Sequence, residues 1–81
     1  MSERVARIRY QCRRGMLELD AILQPYFEQQ FLSLTLPEQE NFERLLTCTD
    51  PELFAWFIGS EVPQDEALRC AVALIKNKVM E

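Results

Sequence analysis

The 81 residues, 48% of them hydrophobic and 27% charged, suffice for one small domain spanning 1–81 and exclude a second. Eight aromatic residues rule out a disordered composition, and a domain this small buries only about 60–65% of its unfolded surface, which leaves little interior for an enclosed active site. The net charge of −4 is unevenly spread: residues 1–14 hold five Arg against one Glu, 15–66 one Arg against eleven acids, and 67–81 three bases against one acid. One basic end suits docking on an acidic partner or, less readily, on phosphates, although a merely solvated basic helix gives the same pattern.

The first predicted helix starts with Ser2 as a cap and sets Val5, Ile8 and Cys12 on one side, with Gly15 ending or bending it. Met16, Leu19, Ile22 and Leu23 begin a second pattern that Pro25 interrupts. Tyr26, Phe27, Phe31 and Leu32 carry on its apolar character to Ser33, so this stretch is either one bent helix or two short ones. Thr35-Leu36-Pro37-Glu38 forms a capping box ahead of the buried positions Phe42, Leu45 and Leu46. Asp50-Pro51-Glu52 is the next start, with Asp50 as the carboxylate cap, and Leu53, Phe54, Trp56, Phe57 and Ile58 follow until Gly59. Val62-Pro63 opens the last segment, where Leu68, Ala71, Val72, Ile75 and Val79 recur at helical spacing and Lys76 and Lys78 complement the negative end of the dipole. With two Gly in the whole chain and no two-residue alternation, the expectation is an all-α fold, a small five-helix bundle.

The chain contains no His, which removes the commonest general base and every Ser-His or Cys-His pair. Cys12, Cys48 and Cys70 are far apart and form no CxxC, which argues against zinc and for a reducing, cytoplasmic setting without an intramolecular disulfide. All three sit beside apolar positions and are read as core or near-core thiols. No h-region follows the N-terminal arginines, and the apolar run Leu53–Ile58 is six residues against the about 20 that a membrane span needs. Neither a phosphate loop nor a dinucleotide fingerprint is present. The chain therefore reads as a non-enzyme with no metal, no permanently bound cofactor and no membrane insertion, and the expectation for the free protein is a monomer.

One cluster stands out. Arg13-Arg14-Gly15-Met16-Leu17-Glu18-Leu19-Asp20 sets two guanidiniums, a glycine and two carboxylates at the join of two apolar patterns. In a structural account Gly15 stops a helix, while Arg14 and Glu18 form an exposed pair contributing about 0.2–0.5 kcal/mol. In a functional account Gly15 lets a partner approach closely and the flanking charges orient it. Spacing alone leaves both open. The arginines flank the first apolar stripe in two groups, which weakens a nucleic-acid-binding alternative, and a generic interaction module is a further one.

Arg14-Gly15-Met16-Leu17-Glu18 resembles the RGxxE motif of the succinate dehydrogenase assembly factor family, the small FAD assembly factors of SdhE type. The similarity extends to Arg7 and Tyr10 ahead of the motif, Asp20 after it, Pro25-Tyr26-Phe27, Phe42-Glu43-Arg44-Leu45-Leu46 and Asp50-Pro51-Glu52-Leu53-Phe54-Ala55-Trp56; Tyr10 stands where Trp is frequent. The resemblance implies a five-helix assembly chaperone that binds the flavoprotein subunit of succinate dehydrogenase, and often that of fumarate reductase. It promotes covalent attachment of FAD to a histidine of that subunit, so FAD is the group attached to the partner. The partner-binding surface expected from it centres on Arg14, Gly15 and Glu18, with Asp20, Arg7 and Tyr10 at its edge.

Overall fold

Helix starts and stops in this chain are set by a few short-range devices, visible in a computed structural model that describes residues 3–79. Helix α1 spans Glu3–Gln11, and its proposed cap Ser2 lies outside the described residues. Ile8 and Cys12 are buried and Val5 packs against them, as the spacing requires. The helix closes with the Cys12 N–H donating to the Ile8 and Arg9 carbonyls, ahead of Gly15.

Helix α2 runs unbroken over Leu17–Gln30 with Pro25 inside it, followed by a 3-10 turn at Phe31–Ser33. Proline is tolerated here because both Pro25 and Ala21, whose carbonyl loses its helical donor, are exposed to water. Helix α3 covers Leu36–Leu45 and starts with the expected box, Thr35 accepting from the Glu38 N–H while the Glu38 carboxylate accepts from the Thr35 N–H.

Helix α4 covers Asp50–Ile58, and here the sequence reading needs correction: the cap is Thr49, not Asp50. Thr49 and Glu52 form a second full capping box, which leaves the Asp50 carboxylate to bond elsewhere. Gly59 ends the helix at φ 88°, its N–H donating to the Ala55 carbonyl, a left-handed cap that a side chain would strain. Helix α5 covers Glu66–Val79, starting later than Val62-Pro63 because Asp65 accepts from the Ala67 and Leu68 N–H groups and sets the first turn.

No strand occurs among the described residues, so the five-helix all-α expectation holds. Helices α3 and α5 form the broadest pair, and α2 lies against α4 and α5. Tyr26, Phe27, Phe31 and Phe42 make an aromatic cluster with ring centroids 5.0–6.5 Å apart. Leu19, Leu23, Leu45, Leu46, Leu53, Trp56, Phe57, Ala71, Val72 and Ile75 complete the core. The side chain of Val79 lies outside the described ones. Leu32, in the 3-10 turn, and Ile58, the last residue of α4, are exposed although they belong to apolar stretches of the sequence. Cys70 is exposed on α5, contrary to the core reading, whereas Cys12 is buried and Cys48 half-buried; all three are free thiols.

Candidate functional site

The loop between α1 and α2 is built around Arg14. Its Nε donates to Asp50 Oδ1 at 2.7 Å, Nη1 to the Leu46 carbonyl at 2.8 Å and the Gln11 carbonyl at 3.4 Å, and Nη2 to the Cys48 carbonyl at 2.6 Å. The side chain is only 15% exposed. Its own N–H donates to Asp20 Oδ1 at 2.7 Å, so a carboxylate from the first turn of α2 holds the loop backbone. A guanidinium has five donors in a rigid fork, and the four bonds made here tie it to the end of α1, the α3–α4 connection and the first turn of α4 together. The exposed Arg14–Glu18 pair of the structural account is not formed.

Gly15 follows with φ 81°, and a Cβ built there would meet nothing within 4 Å. Its need for glycine is therefore conformational, and the space beside it is open to an approaching partner. Met16 caps α2 without a side-chain bond. Glu18 is exposed in the first turn of α2 and takes part in no ion pair among the described residues.

Tyr10, 74% exposed, and Arg7 lie one turn apart on α1. Tyr10 and Asp20 line an open groove of about 880 Å³ between α1 and α2, together with Arg13, Leu17, Gln24 and Pro25. Arg7, Gly15 and Glu18 lie outside that lining. Across the groove Arg9 Nε meets Glu28 Oε1 at 2.8 Å, and further along α1 Arg4 is paired with Glu43 at 3.0 Å. With Arg14 committed to Asp50, the arginine-rich N-terminal segment keeps only Arg7 and Arg13 without an ion pair among the described residues. That is a poor phosphate-tracking row.

Sequence reasoning missed three features. Leu17, 80% exposed, is the apolar residue that falls off the Met16-Leu19-Ile22-Leu23 stripe, a signal present in the sequence. Pro25 on the groove wall was visible only as an interruption. Asp50 as the partner of Arg14 had no local signal. Burial pushes the Cys12 thiol up to about 12, with Arg14 opposing and Glu28 reinforcing the shift, so it offers no thiolate at neutral pH. Burial also raises the Cys48 thiol. No helix among the described residues is long and apolar enough to cross a membrane, and none of their acidic or thiol groups cluster as metal ligands.

Comparison with known proteins matches residues 6–79 to the model of a protein family described as "Flavinator of succinate dehydrogenase". The chain is similar to the FAD assembly factor SdhE of Colwellia psychrerythraea, with 50% identity over 74 residues covering 91% of this chain and 81% of that protein. It is likewise similar to the FAD assembly factor SdhE of Shewanella oneidensis, 46% identical over 74 residues, 91% of this chain and 90% of the relative. The FAD assembly factor SdhE of Vibrio cholerae is 55% identical over 58 residues, covering 72% of this chain and 67% of the relative.

Proposed function

We propose a role for the α1–α2 surface from the premise that this chain belongs to the family of succinate dehydrogenase flavinators. The protein is an FAD assembly factor for the flavoprotein of succinate dehydrogenase. It docks on that subunit through Glu18 and Gly15, with Tyr10 and Arg7 of α1 at the edge of the contact, and favours the arrangement in which FAD becomes covalently bonded to the subunit's histidine. The attachment chemistry belongs to the flavoprotein. The helper acts by differential affinity, since a binder shifts a conformational equilibrium only as far as it prefers one state over the other.

The observation that carries the docking assignment is the contrast at the motif: Arg14 is held inside by four acceptors while Glu18, four residues on, is exposed and in no ion pair among the described residues. A carboxylate and a large aromatic side chain left free beside a rigid loop support charge-assisted and apolar contacts at little ordering cost. Arg14 and Asp20 enter this surface as the residues that shape it. The role is non-enzymatic, set in a reducing cytoplasm, and extends to the fumarate reductase flavoprotein in the same reading.

The test is co-expression with the flavoprotein subunit and measurement of covalent flavin fluorescence in a denaturing gel, alongside thermal unfolding of each helper variant. Glu18→Ala and Tyr10→Ala are expected to lower flavin yield with unfolding temperatures near wild type. Normal yield in both variants would overturn the docking assignment, and the same assay with the fumarate reductase subunit tests the second client.

A further inference from the structure

We propose that Asp50 is a positioning residue for flavoprotein docking, acting through Arg14 to hold the Gly15 loop in its docking form. The inference rests on the assignment of Gly15 and Glu18 as contact residues. Asp50 is not needed as a helix cap, because Thr49 and Glu52 already exchange both bonds of a capping box at the start of α4. Its Oδ1 instead accepts from Arg14 Nε at 2.7 Å, and among the described residues it is the carboxylate paired with this guanidinium.

The other three acceptors of the Arg14 side chain, the Gln11, Leu46 and Cys48 carbonyls, are neutral. They satisfy donors without balancing the charge. A guanidinium 15% exposed and left without its counter-ion gains by turning out to water. The residue that turns is the one before Gly15, so its departure releases the left-handed bend and the approach to Glu18. Asp20 grips the Arg14 N–H from α2 while Asp50 grips the side chain from α4, so the loop is fixed from both sides. A loop already in its bound form loses less freedom on docking.

The experiment titrates the full-length helper against the apo flavoprotein subunit of succinate dehydrogenase with FAD and reads covalent flavin as a function of helper concentration. Each variant is assayed at a temperature where circular dichroism shows it fully helical. Asp50→Ala is expected to raise the half-saturating helper concentration about ten-fold, the scale of one charge-assisted hydrogen bond, and to reach the wild-type plateau at saturation. Arg14→Gln raises it at least as much, and adding Asp50→Ala to Arg14→Gln costs nothing further, because Asp50 acts only through Arg14. Asp50→Asn, which keeps the shape and removes the charge, replaces Asp50→Ala if that variant loses helicity. Independent, multiplying losses in the double variant overturn the proposal, as does an unchanged half-saturation point in the Asp50 variant while Glu18→Ala is impaired. If Glu18→Ala is also unimpaired, the docking assignment itself falls and takes this proposal with it.

Discussion

The start of α4 is held by its own neighbours, Thr49 and Glu52 bonding reciprocally across three positions, whereas the start of α2 has no side-chain cap at Met16 and leans on Arg14, whose ion-pair partner lies 36 positions away. The two starts also treat their glutamates differently. In α3 and α4 the glutamate at the third helical position folds back onto the cap, while α2 has Leu19 there, buried, and keeps Glu18 exposed one position earlier. A helix closed by a local box has spent its third-position carboxylate on itself. One closed by remote contacts has a first-turn carboxylate to offer a partner.

The largest expected break in this comparison comes from α4 itself. Trp56 is 8% exposed, and Trp56→Ala should destabilise the fold by about 3–5 kcal/mol, because a large cavity opens in the core on the buried face of α4. Thermal unfolding checks the value, and a near-native midpoint would show that α4 does not anchor the core. Next comes the loop. The φ of 81° at Gly15 means that Gly15→Arg carries a backbone penalty of about 1–2 kcal/mol whatever the partner does, so stability close to wild type, which an open surface position would show, is not expected. Gly15→Ala should show the same loss in unfolding experiments, since no neighbouring atom clashes with either side chain at its Cβ.

A smaller pair of effects sharpens the contrast. Thr35→Ala removes the α3 cap and should cost about 1 kcal/mol with flavin attachment unchanged at working temperature. Glu18→Ala should do the reverse, staying within about 0.5 kcal/mol of wild type in stability while flavin attachment falls. If both variants lose stability and yield in step, local capping and docking are not separable in this fold.

These residues also mark where the sequence was legible. Thr35 with Glu38, Gly59, and the Ala71-Val72-Ile75 stripe could be read directly, because capping boxes, left-handed caps and helical periodicity are written within a few positions. The α4 start is misplaced by one residue because Asp50 is a good cap in isolation, yet Thr49-Asp50-Pro51-Glu52 carries the same Thr-x-x-Glu signature as Thr35 to Glu38, and the reciprocal Thr49–Glu52 bonds make Thr49 the cap. Apolar neighbours at helical spacing do not tell which face a small thiol takes, so Cys70 reads as near-core although it is exposed on α5. Of the candidate site, the motif residues stood out through their crowding of charges and one glycine. Which of them face inward is beyond any spacing argument, since the bonds that hold Arg14 inside come mainly from the distant α3–α4 connection and Asp50.

The smallest expected effect tests the self-contained start of α4 alone. The Glu52 carboxyl lies below the ordinary glutamate value, because the Thr49 N–H and then the Thr49 hydroxyl donate to it. A carboxyl whose folded value is depressed adds stability above its unfolded value, about 4.3, and loses that contribution as pH falls through the lower folded value. Glu52→Gln keeps an acceptor for the capping box but removes the charge and its attraction to the helix N-terminus. The unfolding midpoint of wild type should therefore exceed that of Glu52→Gln slightly at neutral pH, and the gap should close in acid below the ordinary glutamate range. A gap that persists unchanged into acid would mean that Glu52 holds α4 by shape rather than charge, and the local start would then be as insensitive to protonation as the carbonyl bonds around Arg14.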